Sequence, residues 1–203
     1  MTVAGDQAEL LLPAAREGDA ESLDRLLELY RNYLKLLARA QLRASLQVRV
    51  DPSDLAQVTL IDAHRGFAQF RGRTEQELTA WLRKILVRKL ADQVKRHRSQ
   101  KRDVRREQSL EVVLEQSSQD IAKLLGTATS TPSVLASRRE QSVVLADALA
   151  RLPEDYREVL VMRHLERKKF TEIADAMQRS DGSVRMLWTR ALERLRRELE
   201  NPS

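Results

Sequence analysis

Cysteine is absent from the 203 residues. That excludes disulfides, cysteine-ligated zinc and a cysteine nucleophile, and it suits a reducing compartment. Glycine and proline are scarce, at 6 and 5, which favours long helices over a turn-rich β fold. No apolar run reaches the length of a membrane span. The first residues, Met1 to Gln7, carry no basic stretch leading into an apolar one. A cytoplasmic protein without membrane insertion is expected. The three histidines, His64, His97 and His164, lie far apart. Asp51, Asp54 and Asp62 form no separate metal-ligand cluster, and helix capping is the simpler role for an Asp before a proline. No catalytic residue, metal or cofactor is expected.

What is present is charge, concentrated in one place. The net charge is +6. From Trp81 to Arg106 there are eleven Lys and Arg against Asp92 and Asp103, while the remainder, with 25 basic and 28 acidic residues, is slightly acidic. One block makes the protein basic, and such a block suits a polyanion partner.

Apolar spacing predicts helices throughout. Leu10 to Leu46 reads as helix, its stripe running from Ala20 and Leu23 to Leu34 and Leu37, with Asp19 or Ser22 as a cap after Gly18. Asp51-Pro-Ser-Asp-Leu-Ala-Gln57 starts the next, since proline loses nothing at the first helical position and Asp51 can cap. Leu55, Val58, Ile61 and Ala63 form its apolar series. Thr74 with Glu77 matches a capping box. The helix after it carries Leu78, Trp81, Leu82, Ile85, Leu86, Leu90 and Val94 inward, with Arg83, Lys84, Arg88, Lys89, Lys95, Arg96 and Arg98 outward. A basic amphipathic helix also suits an anionic membrane surface. Nucleic acid is favoured because a DNA-reading motif lies elsewhere in the chain.

That motif is Phe170 to Leu199. Thr171 is a candidate cap, and Ile173, Ala174 and Met177 share a face. Three residues, Gln178 to Ser180, connect to a helix whose stripe is Val184, Trp188, Ala191 and Leu195, with Ser180 as its cap. Two short helices so joined describe a helix-turn-helix. Its second helix leaves Ser183, Arg185, Thr189 and Arg190 off the stripe, where they could meet base edges in a major groove. Upstream, the polar stretch Gly126 to Ser133 reads as linker. The expectation is an all-α chain of two small helical domains, 1–106 and 139–203, joined by a flexible linker at 107–138.

Two blocks fit one family. Ala148-Leu-Ala-Arg-Leu-Pro-Glu-Asp-Tyr-Arg-Glu-Val-Leu160, Phe170-Thr-Glu-Ile-Ala174 and Ser180-Asp-Gly-Ser-Val184 resemble the C-terminal domain of extracytoplasmic-function sigma factors. Asp51 to Gln57, Phe67-Ala-Gln-Phe70 and Trp81-Leu-Arg-Lys-Ile85 are similar to their N-terminal domain. The resemblance runs from about residue 15 to 200. It implies a sigma factor that binds core RNA polymerase and promoter DNA, duplex and melted, with an anti-sigma factor as a further partner. By matching position it assigns Asp51, Asp54, Leu55 and Gln57 to polymerase binding, and Arg83, Lys84, Arg88, Lys89, Lys95, Arg96 and Arg98 to the minus-ten element. Ser180, Ser183, Arg185, Thr189 and Arg190 fall to the minus-thirty-five element. Gln178 stands where the family has a turn glycine, and Met186-Leu187 and Trp188 also depart from its pattern. The alternative is a helix-turn-helix repressor or activator that never joins polymerase. Such a protein needs neither the N-terminal domain nor the long basic helix.

Overall fold

The computed structural model describes residues 3–44, 50–97 and 132–200, and no strand occurs among them. The N-terminal domain comprises α1 (Val3–Arg16), α2 (Ala20–Glu28), α3 (Arg31–Ala44), α4 (Pro52–Gly66), a 3-10 turn at Phe67–Gln69, and α5 (Glu75–His97). The C-terminal domain comprises α6 (Pro132–Arg151), α7 (Glu154–His164), α8 (Phe170–Met177) and α9 (Asp181–Glu200).

The stretch from Leu10 to Leu46, expected as helix with a cap at Asp19 or Ser22 after Gly18, is three helices, and backbone chemistry explains both breaks. Gly18 adopts φ +99°, a conformation that glycine reaches without a Cβ penalty, and it ends α1. Asp19 then caps α2, its Oδ2 accepting the Ser22 N–H at 3.1 Å. The Ser22 side chain first, and then this backbone bond, hold the Asp19 carboxyl below its ordinary range. The second break, at Leu29 and Tyr30, lets Tyr30 enter the core at 0% exposure. The Tyr30 hydroxyl donates to Glu75 Oε1 at 3.3 Å, tying this turn to the start of α5. Burial, reinforced by the Glu75 charge, pushes the Tyr30 phenol well above its ordinary range.

The expected caps of α4 and α5 are present. Asp51 Oδ1 accepts the Ser53 N–H at 2.7 Å, with Pro52 at the first helical position. Glu77 Oε2 accepts the N–H groups of Arg73 and Thr74, while Thr74 Oγ1 accepts the Glu77 N–H at 3.2 Å. These bonds, led by that from Arg73, lower the Glu77 carboxyl. The turn before them needs its glycine. A Cβ on Gly72 would lie 2.2 Å from Phe70 Cζ and 2.8 Å from Glu77 Cβ, too close for any side chain.

In the C-terminal domain α6 reaches back to Pro132, into the span expected as linker. Residues 107–131 lie outside the described residues. Val159, Leu160, Ile173, Val184, Ala191 and Leu195 bring α7, α8 and α9 into one core. The cap of α8 differs from expectation. Thr171 lies inside the helix, Lys169 takes the cap position, and the Lys169 N–H donates to Glu172 Oε2 at 2.6 Å. The Glu172 carboxylate thus satisfies the N–H of the cap residue, which is the N3 half of a capping box.

The two domains touch. Helix α6 packs against α1, α3 and α5. Asn32 Nδ2 donates to Asp147 Oδ1 at 2.8 Å, and Arg39 forms a two-pronged ion pair with Glu158, with Glu166 at 3.7 Å. Between the domains lies a cleft of about 520 Å³, bordered by Lys35, Asp51, Ser53, Leu149, Glu154 and Arg157.

Candidate functional site

The helix-turn-helix is α8, the residues Gln178 to Ser180, and α9. Helix α9 is fixed from below by Val184, Leu187, Ala191 and Leu195, all buried. Leu187 joins the four-residue stripe expected from spacing, and Trp188 is half-buried at its margin. The turn closes through Gln178, which adopts φ 53° and ψ 45° in place of a glycine. Ser180 Oγ accepts the Ser183 N–H at 3.3 Å, as expected of a cap.

With that stripe buried, Arg185, Thr189 and Arg190 are exposed, Ser183 is half-exposed, and Ser180 is exposed at the turn. Thr189 Oγ1 donates back to the Arg185 carbonyl at 3.1 Å. Arg185 is held in two ways. Its Nε donates to Asp181 Oδ2 at 2.8 Å, and its guanidinium lies over the Phe170 ring at 4.6 Å. Arg163 lies against the same ring at 4.8 Å. Trp188 meets Phe170 edge-on at 5.7 Å, stacks with His164 at 6.1 Å, and donates its Nε1–H to His164 Nε2 at 3.1 Å. Sequence reading missed Phe170, Asp181 and His164 as supports of this helix. The Asp181–Arg185 spacing of four residues was the available signal. The aromatic pairings span separate helices and leave no such signal.

Helices α4 and α5 frame the second candidate surface. Phe67, Phe70 and Trp81 form an aromatic cluster, with Trp81 5.0 Å from Phe70 and 6.2 Å from Phe67. Trp81 is half-buried and lines a cleft of about 490 Å³ with Arg65, Gln69, Arg88, Lys89 and Asp62. Lys84 and Arg88 are exposed. Lys89 is paired with Asp62 across the cleft. Arg83, expected on the outward face, is buried at 8% exposure. Helix α5 packs against α1, α3, α4 and α6, so its buried arc is wider than a single amphipathic stripe. Lys95 and Arg96 belong to α5, but their side chains, and Arg98 altogether, lie outside the described residues.

The third surface is the outer face of α4. Asp51, Asp54 and Gln57 are exposed, whereas Leu55, grouped with them from sequence, is 2% exposed and belongs to the core. Val58 and Ile61, expected inward, are each 43% exposed. Leu55, Ala56, Thr59, Leu60 and Ala63 supply the buried face instead. Thr59 is accommodated there because its hydroxyl donates to the Leu55 carbonyl at 2.7 Å. Asp54, Gln57, Val58 and Ile61 therefore share one mixed polar and apolar face, one helical turn apart.

A long helix bearing exposed cations beside an aromatic cleft, followed in the chain by a helix-turn-helix, has the features of a two-domain DNA-binding protein. Residues 29–100 match sigma-70 region 2, and residues 142–195 match sigma-70 region 4. The chain is 27% identical over 199 residues to the ECF RNA polymerase sigma factor SigD of Mycobacterium tuberculosis, covering 98% of this chain and 87% of that protein. It is 26% identical over 196 residues to the ECF RNA polymerase sigma-E factor of Haemophilus influenzae, covering 96% of this chain and 95% of the relative. The chain belongs to the sigma-70 family, in its extracytoplasmic-function group, and is a sigma factor directing transcription initiation. No helix among the described residues is long and apolar enough to cross a membrane.

Proposed function

We propose that the three surfaces divide the work of initiation. The α4 face of Asp54, Gln57, Val58 and Ile61 docks on core RNA polymerase, with Asp51 shaping its first turn. Lys84, Arg88 and Lys89, continued by Lys95, Arg96 and Arg98, hold the minus-ten element as it melts. Trp81 offers an aromatic platform there, and unstacked bases bind to such platforms beside cations. Ser180, Ser183, Arg185, Thr189 and Arg190 meet the minus-thirty-five duplex, phosphate contacts setting register and base contacts setting sequence. The chain works in the cytoplasm and contributes no bond-making chemistry of its own. An anti-sigma factor is its third partner, an assignment supported by family membership alone.

The observation that carries this division is the exposed α4 face, where Val58 and Ile61 stand beside Asp54 and Gln57 as a mixed face suited to docking on a protein partner. A free-standing DNA binder would need α9 alone. The test combines Asp54→Lys with Gln57→Ala in the full chain. Loss of a charged hydrogen bond buried at an interface costs about 2 to 5 kcal/mol, so capture of purified core polymerase and run-off transcription should both fall by well over tenfold. Helical circular dichroism should stay unchanged. Wild-type capture of core polymerase with equal capture by the double variant would remove this face from the interface.

A further inference from the structure

We infer that Met186 reads a thymine, packing its thioether on the C5-methyl group in the upstream duplex. The inference rests on the proposal that α9 lies in the major groove there, and it names the base that this groove must offer.

Met186 is 59% exposed, and it is the one large apolar side chain so exposed among the described residues of the C-terminal domain. Its place on the helix is informative. At 3.6 residues per turn, two residues on from buried Val184 is a rotation of about 200°. Met186 thus stands opposite the buried stripe, at the crest of the exposed face, in the second turn of α9. Recognition helices present side chains of their N-terminal turns to base edges. Arg185, by contrast, is drawn to one flank by Asp181 and Phe170. One turn before Met186 stands Gly182, where an added Cβ would meet nothing within 4 Å. No side chain screens the crest from that direction.

Helix propensity does not account for a methionine at this position, because Lys, Glu and Gln serve an exposed helix position about as well. A base edge does account for it. Among the features by which the major groove distinguishes base pairs, the thymine C5-methyl is the apolar one that projects from the edge. An unbranched, polarisable side chain with three rotatable bonds can settle on that methyl from a helix that approaches at more than one angle. Thr189 and Arg190, on the next turn, remain available for polar contacts to neighbouring groups.

The test uses holoenzyme assembled from the full chain and core polymerase. It transcribes a library of linear templates randomised across both promoter elements and barcoded within the transcript. Wild-type holoenzyme should select an A·T pair at one upstream position. Met186→Ala should lose that preference alone, and Met186→Leu should keep it. On the selected template, replacing that one thymine by deoxyuridine removes only the methyl group. Transcription by the wild type at limiting holoenzyme should then fall about fourfold, the equivalent of ~0.8 kcal/mol for one buried carbon, with no change for Met186→Ala. Identical preferences in wild type and Met186→Ala would overturn the inference. So would weakened core binding by Met186→Ala with its base preferences intact, which would place Met186 against protein. If Arg185→Ala or Arg190→Ala alters upstream preference while Met186→Ala does not, α9 remains the reader and Met186 has no part in it. If none of the three alters it, the reading of α9 itself fails.

Discussion

Gln178 shows how a single residue can sit against its own backbone preference. Its left-handed conformation costs a side-chain-bearing residue about 1 kcal/mol relative to glycine. Gln178→Gly should therefore stabilise the domain by about 0.5 to 1 kcal/mol and raise the thermal midpoint by a few degrees, read by circular dichroism. A lower midpoint would mean that the glutamine side chain compensates for its backbone. From the sequence, Gln178 was visible only as a departure from the family's glycine. The fold accommodates it because the Gln178 N–H still reaches the Ala174 and Asp175 carbonyls. Arg185 is the complementary case. Its exposure was legible from the stripe beside it, but its tether to Asp181 and Phe170 was not, since Phe170 lies on another helix. Arg185→Ala should cost about 1 to 3 kcal/mol at its preferred base pair if it reads a base. Arg185→Lys should recover only part, because an ammonium cannot stack on Phe170 as a planar guanidinium does. Full recovery by lysine would reduce Arg185 to a phosphate contact.

Helices were legible where local chemistry defines them. Asp51-Pro52 and Thr74 with Glu77 marked two starts correctly, because capping is settled within four residues. Gly18 and Asp19 likewise marked the start of α2, but the stretch from Ala20 onward misled because its apolar spacing runs on through the Leu29–Tyr30 turn. Only the packing of Tyr30 against α5 makes the second break worthwhile. Val58 and Ile61 misled for a related reason. Both are apolar, but the face of α4 that meets α2, α3 and α5 is set by tertiary packing, and Thr59 fits it by bonding its own helix. On α5 the difference between outward and buried cations leads to a prediction. Lys84→Gln with Arg88→Gln should reduce permanganate reactivity of promoter thymines in the open complex while leaving core binding intact. The salt slope for single-stranded DNA should fall by about 0.7 for each phosphate that the variant no longer neutralises. Unaltered melting would remove this face from the minus-ten element. The same substitutions made at Arg83 would act through folding, since that side chain is buried.

The molecule as a whole is closed, with α6 against α1, α3 and α5. Elements centred about 25 base pairs apart lie about 85 Å apart along a duplex, at 3.4 Å per pair. A compact chain of this length has a radius of gyration of only about 17 Å. If α5 and α9 meet these two elements as proposed, the closed form cannot span both and the domains separate on a promoter. Arg39→Ala with Asn32→Ala should expand the free protein in small-angle scattering while its helix content stays the same. An unchanged radius would show that apolar contacts alone hold the closed form. Asp147 should act in the opposite sense. Burial raises its carboxyl above the ordinary range, so its contribution to closure is fullest below the unfolded value and fades as pH rises through the folded one. Asp147→Asn should accordingly favour the compact form at neutral pH. The distribution of tryptophan gives such experiments their own lamp. There are two indoles, Trp81 in the α4–α5 cleft and Trp188 beside His164 and Phe170. Each domain therefore carries one native fluorophore. With the other indole replaced by phenylalanine, the emission of each can be followed in real time. The order in which duplex capture and strand opening occur could then be read without attaching a dye.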